Sequence, residues 1–232
     1  MLAVLQARMS SGRLPGKVLR PLLGEPMILR QIERLRWAAS ISRLVVATSD
    51  QPSDDPLTER LTTAGVEVFR GSLDDVLARF LGAWRSAGEP ERLMRLTADC
   101  PLADPQVIDA CAALLEAEDA DYASTAGGGF PKGLDVEVMT AEALTTAARE
   151  ATSAYDREHV TPFIYARPDR FRLAQLRRPS PERWRWTVDT PDDFAFASAV
   201  YSALYPGDPA FDSDDILTWQ RANPAAAVPD IS

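Results

Sequence analysis

Residues 1–17, MLAVLQARMSSGRLPGK, join a short apolar run to a basic loop that contains glycine. The run Leu2–Gln6 predicts a buried strand, and similar runs recur at 43–48, 66–69 and 93–97. Apolar residues at helical spacing fill the stretches between them, at 27–37, 54–64, 73–86 and from Pro105 onward. This alternation predicts a three-layer α/β fold, with a mostly parallel sheet covered by helices on both faces.

The second half of the sequence is less regular. Strand candidates lie at 121–125, 134–139, 171–176 and 185–188. The stretch 126–133, AGGGFPKG, is expected to form a flexible glycine-rich loop between the first two. Thr190, Pro191 and Asp193 form the pattern of a capping box at the start of a helix. There is no internal repeat and no clear boundary, so we expect a single domain over residues 1–232.

Composition argues against several classes of protein. The 232 residues carry a net charge of −9, whereas nucleic-acid-binding proteins usually present a basic surface. Two cysteines and one histidine are too few for a structural zinc site. No apolar stretch approaches the roughly 20 residues that span a bilayer, and the N-terminus lacks the features of a secretory signal. We therefore expect a cytoplasmic protein.

The loop after the first predicted strand carries the cations Arg8, Arg13 and Lys17. Ligands of parallel α/β sheets bind at the carboxyl ends of strands, where this loop lies. Several cationic donors from different directions suit a triphosphate, and Gly12 and Gly16 permit close approach of main-chain amides. The spacing differs from both the Walker A and the GxGxxG loops. We interpret the segment as a triphosphate-binding loop, the alternative being a basic loop that is merely solvated.

The segment LQARMSSGRLPGK (5–17) resembles the signature loop of the cytidylyltransferases that activate sugar acids, and is most similar to the SpsF-like branch named for spore-coat polysaccharide biosynthesis. The resemblance continues through 46–56, 69–80, RLTADCPLADP (95–105), GLDVEV (133–138), REHVTPFIY (157–165) and RWTVDTPDDF (185–194). It implies a GT-A-like nucleotidyltransferase fold and the transfer of CMP from CTP to a sugar or sugar acid, with release of pyrophosphate. It also implies a homodimer, and a smaller subregion at about 125–185 for acceptor binding and dimerisation.

Two aspartates are candidate metal ligands. Asp99 and Asp189 each end a predicted strand, and a proline follows each of them within three residues. Mg²⁺ typically takes one or two protein carboxylates together with phosphate oxygens, and the resemblance places the metal aspartates at these two positions. The alternative for each is a cap of the following turn or helix. Because the two residues are distant in the chain, they share a metal only if their strands are neighbours.

The predicted nucleotide site extends beyond the loop. The resemblance implies that Arg8, Lys17, Asp99 and Asp189 are the catalytic residues. The expected nucleotide-binding residues are Leu5, Gln6, Ala7, Arg8, Ser10, Ser11, Arg13, Lys17, Thr48, Arg70, Gly71, Ser72 and Asp75. Leu5, Gln6 and Ala7 should run under the nucleobase, and the preference for cytosine follows from the resemblance alone.

The acceptor site is expected in the second half of the chain. Its candidate residues are Asp135, Glu137, Arg157, Glu158 and His159. Asp135 and Glu137 should share one face of a strand, and Arg157 suits a carboxylate or phosphate of the acceptor. His159 is either a substrate ligand or a structural hydrogen-bonding residue.

Three other functions remain open at the level of sequence. A GT-A glycosyltransferase usually carries Asp-x-Asp, whereas this chain has Thr97-Ala98-Asp99. A guanylyl- or uridylyltransferase of the same broad fold usually has paired glycines where this chain has Ala7-Arg8. A non-catalytic nucleotide-binding protein is disfavoured, because the loop cations and both aspartates are present.

Overall fold

The computed structural model describes residues 1–179 and 183–226. In chain order its strands are β1 (Leu2–Gln6), β2 (Pro21–Leu22), β3 (Glu25–Pro26), β4 (Arg43–Ser49), β5 (Glu67–Gly71), β6 (Arg92–Thr97), β7 (Tyr122–Ser124), β8 (Glu137–Thr140) and β9 (Leu173–Gln175). The α-helices are α1 (Met27–Leu35), α2 (Asp55–Thr63), α3 (Val76–Ser86), α4 (Pro105–Ala117), α5 (Ala141–Glu150), α6 (Ala154–His159), α7 (Pro162–Tyr165), α8 (Pro191–Leu204) and α9 (Ser213–Ala222).

Seven strands form one sheet in the order β5-β4-β1-β6-β8-β7-β9. Every pairing is parallel except those of β8, which runs antiparallel to both β6 and β7. The mostly parallel sheet predicted from the sequence is confirmed. β1 is the third of the seven strands, between β4 and β6, so the loop that follows β1 emerges inside the carboxyl edge and not at its end.

Helices cover both faces of this sheet, which confirms the three predicted layers. Alternate residues of β1 point to opposite faces, as the period of a strand requires. Ala3 and Leu5 belong to a buried cluster with residues of α1, α2, α4, α8 and α9. Leu2 and Val4 belong to a second buried cluster with residues of α3, α5 and α7. No helix in residues 1–179 and 183–226 is long and apolar enough to cross a membrane.

The helix starts follow the local signals in the sequence. Asp104 caps α4 by accepting a hydrogen bond from the Gln106 amide, and Pro105 is the first helical residue. Thr190 and Asp193 form the expected capping box of α8. α3 begins at Val76 rather than at 73, because Asp75 serves as its cap and accepts a hydrogen bond from the Ala78 amide.

One expectation for the second half is wrong, namely the strand at 185–188, and the loop 126–133 pairs with this segment. The glycine-rich loop 126–133 is held in place, since Gly128 donates to and accepts from neighbouring backbone and Lys132 pairs with 184–186 through two main-chain hydrogen bonds. Any Cβ at Gly128 or Gly133 would lie within 3.0 Å of backbone atoms, so these glycines permit close chain approach. Residues 185–188 form no strand of the sheet and make a single bridge to Lys132.

Candidate active site

Lys17 lies between two carboxylates that are distant in the chain. Its Nζ donates a 2.9 Å hydrogen bond to Asp189 Oδ1 and lies 3.6 Å from Asp99 Oδ2. The same nitrogen donates a 2.8 Å bond to the carbonyl oxygen of Val188. Lys17 is buried in the 3₁₀ turn that ends the basic loop. The predicted convergence of Asp99 and Asp189 beside this loop is present in the structure.

Backbone hydrogen bonds hold the two aspartates together. The amide of Val188 donates a 2.7 Å bond to the carbonyl oxygen of Asp99. The buried carboxylate of Asp193 accepts hydrogen bonds from the amides of Asp189 and Thr190, and also from Arg185. The capping box of α8 therefore sets the backbone direction at Asp189 as well as starting the helix.

The surrounding cations stabilise the Asp189 carboxylate. Arg13 Nη2 lies 2.9 Å from Asp189 Oδ2, on the side opposite Lys17 Nζ. Partial burial raises the pKa of Asp189, but the hydrogen bond and charge of Lys17, followed by the charges of Arg13 and Arg185, hold this pKa below its ordinary value. Asp189 is thus ionised at neutral pH and is suited to a cation.

The basic loop is folded back on a single carbonyl group. The Met9 carbonyl oxygen accepts 3.0 Å hydrogen bonds from the amides of both Ser11 and Gly16. Gly16 has φ +69°, a left-handed conformation that favours glycine. Arg8 and Arg13 project from this loop with exposed side chains, so their guanidinium groups are accessible to an anion.

A crevice of about 320 Å³ opens between the basic loop and the two aspartates. Its lining residues are Gln6, Ala7, Arg8, Ser10, Ser11, Gly12, Arg13, Lys17, Val18, Thr97, Ala98, Asp99 and Asp189. The structure thus brings together all the predicted catalytic residues, and most of the predicted nucleotide-binding residues from the first loop. Val18, Thr97 and Ala98 also line the crevice and were not predicted from the sequence, although the rule that ligands bind at strand ends pointed to the last two.

Other predicted nucleotide-binding residues lie outside this crevice. Leu5 and Thr48 are fully buried within β1 and β4. Arg70 donates hydrogen bonds to the carbonyl oxygens of Ser49 and Gln51 and forms an ion pair with Asp55, so its guanidinium group holds the turn after β4. Such a role could not be read from the sequence, because its partners become neighbours only when β4 and β5 pair.

The loop after β5 faces a different cavity. Gly71 ends β5, and the Ser72 hydroxyl accepts a hydrogen bond from the Asp75 amide. The Asp75 carboxylate forms an ion pair with Arg157, whose Nε and Nη2 both donate to Oδ2. A predicted nucleotide residue and a predicted acceptor residue therefore bind each other. They line a cavity of about 360 Å³ whose walls also include Arg8, Leu73, Asp74, Ala154 and Glu158.

Glu137 belongs to a polar stripe across the sheet. Strand register places Arg95 beside Glu137, Glu137 beside Ser124, and Ser124 beside Gln175. Arg95 forms an ion pair with Glu137 and donates a 3.3 Å hydrogen bond to the side-chain oxygen of Gln6, which lines the crevice. The stripe connects the crevice to a cavity of about 420 Å³ at the far edge of the sheet, lined by Tyr122, Ser124, Ala126, Glu137, Tyr165, Leu173, Ala174 and Gln175.

His159 lies at the end of α6, beside a strained turn. Its ring packs on that of Tyr155, with centroids 4.4 Å apart, and its side chain is exposed. Val160 follows with φ 73° and ψ −55°, and the Thr161 amide donates to the His159 carbonyl oxygen, which makes a γ-turn. A β-branched residue rarely adopts this conformation. The turn directs the Thr161 hydroxyl to Glu137 Oε1 at 2.5 Å.

Asp135 lies just before β8, where the charge of Asp99 acts on it. Its carboxylate accepts a 2.8 Å hydrogen bond from the Gly133 amide. Desolvation raises the pKa of Asp135 despite that bond, and the neighbouring carboxylates of Asp99 and Glu137 add to the rise. Asp135 and Glu137 were expected to share one face of a strand, but β8 begins at Glu137 and leaves Asp135 outside it. Neither residue lines the crevice.

Comparisons with known proteins identify the family of the chain. The sequence model of the family described as cytidylyltransferase matches residues 2–196. The spore coat polysaccharide biosynthesis protein SpsF of Bacillus subtilis is 34% identical over 235 residues, covering 98% of this chain and 96% of its own length. A 3-deoxy-manno-octulosonate cytidylyltransferase of Syntrophotalea carbinolica is 35% identical over 123 residues, covering 51% of this chain and 46% of its own.

Solved structures of cytidylyltransferases have the same fold as this chain. A cytidylyltransferase from Leptospira borgpetersenii superimposes with a TM-score of 0.90 at 28% identity, covering 97% of this chain and 94% of that one. A CMP:2-keto-3-deoxy-manno-octonic acid synthetase complexed with CTP shares the fold, with a TM-score of 0.66 at 17% identity over 87% of this chain and 98% of that one. The chain belongs to the cytidylyltransferase family.

Proposed function

We propose that the chain transfers CMP from CTP to a hydroxyl group of a sugar and releases pyrophosphate, with the crevice beside Lys17 as its CTP site. One observation carries this proposal: Asp99 and Asp189 converge on the same side of the loop that presents Arg8, Arg13 and Lys17. Cations for a triphosphate thus lie next to carboxylates for a metal ion, which is the combination that nucleotidyl transfer requires.

Asp99 and Asp189 fit a magnesium ion. The Lys17 ammonium group acts as a stand-in, since it lies 2.9 Å from one carboxylate and 3.6 Å from the other and shows that one cation is within reach of both. Two carboxylates plus phosphate oxygens suit Mg²⁺, which retains several non-protein ligands. When bound, Mg²⁺ would supply Lewis-acid polarisation and charge neutralisation. With the ion bound there, the Lys17 ammonium group would be available to the phosphates.

The residues of the chain have distinct roles in the proposed reaction. Arg8, Arg13 and Lys17 bind the β- and γ-phosphates, with the hydroxyl groups of Ser10 and Ser11 as further donors. The acceptor oxygen forms a bond to the α-phosphorus, and the bond from that phosphorus to the bridging oxygen breaks. Pyrophosphate leaves with the electron pair, where the loop cations stabilise its charge, and the hydroxyl proton passes to solvent. Gln6 and Ala7 line the nucleoside end.

The acceptor is proposed to bind beside the crevice, in the region of β8 and α6. The Asp135 carboxylate interacts with the charge of Asp99, and the polar stripe runs from Gln6 in the crevice through Arg95 to Glu137 of β8. Arg157 forms an ion pair with Asp75, so in this proposal it stabilises the wall of the cavity that both residues line and does not bind an anion of the acceptor. Glu158 and His159 are exposed near this wall and complete the proposed acceptor region within about 125–185.

The biological setting is proposed from the relatives. Similarity to the Bacillus subtilis spore coat protein over nearly its whole length supports a step in surface polysaccharide biosynthesis. A cytoplasmic homodimer is proposed as the working form, because CTP is a cytoplasmic metabolite and the sequence resembles dimeric synthetases.

Pyrophosphate release tests the proposal directly. The purified chain is incubated with Mg²⁺ and each of CTP, UTP, GTP and ATP, together with a panel of neutral sugars, amino sugars and sugar acids. We expect release with CTP and at least one acceptor, and thermal stabilisation by CTP above that by the other nucleotides. Equal stabilisation by all four nucleotides, with no release from any pair, would contradict the proposal.

A further inference from the structure

Asp54 is a fully buried carboxylate outside the crevice that binds the backbone of the basic loop. It lies in the 3₁₀ turn after β4, and its side chain has no solvent exposure. Its Oδ1 accepts a 2.7 Å hydrogen bond from the Met9 amide, across 45 positions of sequence. Its Oδ2 accepts hydrogen bonds from the amide and the hydroxyl group of Ser49.

Met9 is the residue on which the basic loop closes. Its carbonyl oxygen accepts the amides of Ser11 and Gly16, each at 3.0 Å. Because a peptide unit is planar, fixing an amide direction constrains the chain on both sides of it. The contact from Asp54 therefore constrains the loop, in which Arg8 directly precedes Met9 and Lys17 directly follows Gly16 in the chain.

The charge of Asp54 also contributes to this region. Burial lowers the pKa of the neighbouring Arg79 and the charge of Arg8 lowers it further, whereas Asp54 and then Asp50 oppose both effects. Asp54 thus places a negative charge beside the basic loop, which carries the cations Arg8, Arg13 and Lys17. A buried carboxylate is stable there only while its hydrogen bonds are made.

We infer that Asp54 is a positioning residue, which holds the Met9 peptide so that the loop is shaped to receive the β- and γ-phosphates. This inference rests on the proposed CTP site. In this role Asp54 makes no contact with substrate. The loss of nucleotide affinity on its substitution should therefore increase with the number of phosphates that the loop binds.

The chain offers a matched control for this role. Asp109 of α4 accepts hydrogen bonds from the amides of Ala39 and Ser40 and from the Ser40 hydroxyl group. Its carboxylate thus binds two amides and one serine hydroxyl, as that of Asp54 does, but away from the crevice. Asn at either position keeps the size of the side chain and leaves one acceptor oxygen for three donors.

The experiment compares Asp54→Asn and Asp109→Asn with the wild type in binding CTP, CDP and CMP by calorimetry with Mg²⁺ present. Loss of a hydrogen bond to a charged group predicts a rise of about 10- to 100-fold in the CTP dissociation constant of Asp54→Asn. The rise should be smaller for CDP and smallest for CMP, while Asp109→Asn keeps wild-type affinities for all three. Equal losses for CTP and CMP, or an unchanged CTP affinity, would overturn the inference.

A measurement on the wild type covers the case in which Asp54→Asn does not fold. Hydrogen exchange of the ligand-free protein should show the Met9 amide protected to the level of strand amides in β1. Exchange at the rate of an unfolded peptide would overturn the inference. If the wild type itself fails to bind CTP, the proposed function falls first and the role of Asp54 falls with it.

Discussion

The Val188 amide donates a 2.7 Å hydrogen bond to the Asp99 carbonyl oxygen, which joins the end of β6 to the segment that enters α8. Each bonded segment carries one of the two carboxylates beside Lys17. The spacing of Asp99 and Asp189 is therefore set by backbone, not by flexible side chains. A shared cation site needs such a fixed frame, because Mg²⁺ tolerates little variation in ligand geometry.

Loss of either aspartate is expected to abolish most of the activity. Asp99→Asn and Asp189→Asn should each reduce CTP-dependent pyrophosphate release by about 10²- to 10³-fold, since each removes an electrostatic group at the reacting phosphate. Steady-state rates at saturating Mg²⁺ measure the effect. Asp192→Asn is the control, because Asp192 is exposed in the first turn of α8. An aspartate variant with the turnover of the control would remove that residue from the catalytic set.

Lys17→Gln is expected to have opposite effects on the nucleotide and on the metal ion. Binding of CTP should weaken by at least about tenfold, because a charge-assisted contact to phosphate is lost. Binding of Mn²⁺ to the nucleotide-free protein should strengthen, since the ammonium group between Asp99 and Asp189 no longer competes. Calorimetry of each ligand tests both effects. Weaker Mn²⁺ binding by the variant would indicate that Lys17 supports the metal site.

The stability that Asp189 contributes should depend on pH in one direction. Its pKa is lowered in the fold, so its contribution is complete above the ordinary aspartate value of about 3.9 and is lost as pH falls through the lowered pKa. Urea denaturation of wild type and Asp189→Asn between pH 3 and 7 measures the difference. The difference in free energy of unfolding between the two proteins should be largest near neutral pH and should decrease below pH 4. A gap that widens on acidification would contradict the ion pair with Lys17.

Glu137→Gln is expected to destabilise the fold. It leaves Arg95 without its counter-charge at a site where both side chains are 14% exposed, and breaking a buried pair in this way costs about 3–5 kcal/mol. Chemical denaturation gives the change in free energy of unfolding. The control is Glu142→Gln, at an exposed position in the first turn of α5, where a loss within about 1 kcal/mol is expected. Similar losses in both variants would show that the pair with Arg95 is not a significant source of stability.

Sequence patterns located the elements well and their ends less well. β1 has the predicted bounds, since an apolar run after the first residue leads directly into the polar loop. α3 starts three residues later than its apolar pattern, because the pattern cannot show that Asp75 caps the helix and pairs with Arg157. The pattern at 185–188 is that of a strand, yet the segment bonds to Lys132 and to Asp99 instead of entering the sheet.

The amino-acid sequence alone was sufficient to predict the α/β layering and the basic loop after β1, because these depend on local periodicity and on the residues that follow a strand. The meeting of Asp99 with Asp189 depends instead on the backbone bond from Val188 to Asp99, since 185–188 is not a strand of the sheet. The tertiary structure alone decided which side chains remain accessible to a ligand. Arg70 and Arg157 are held by Asp55 and Asp75, whereas Asp54 is buried against Met9 while its neighbours Asp50 and Asp55 are exposed. Charge in a sequence shows what a residue can bind, whereas its distances to other residues, which packing sets, determine what it does bind.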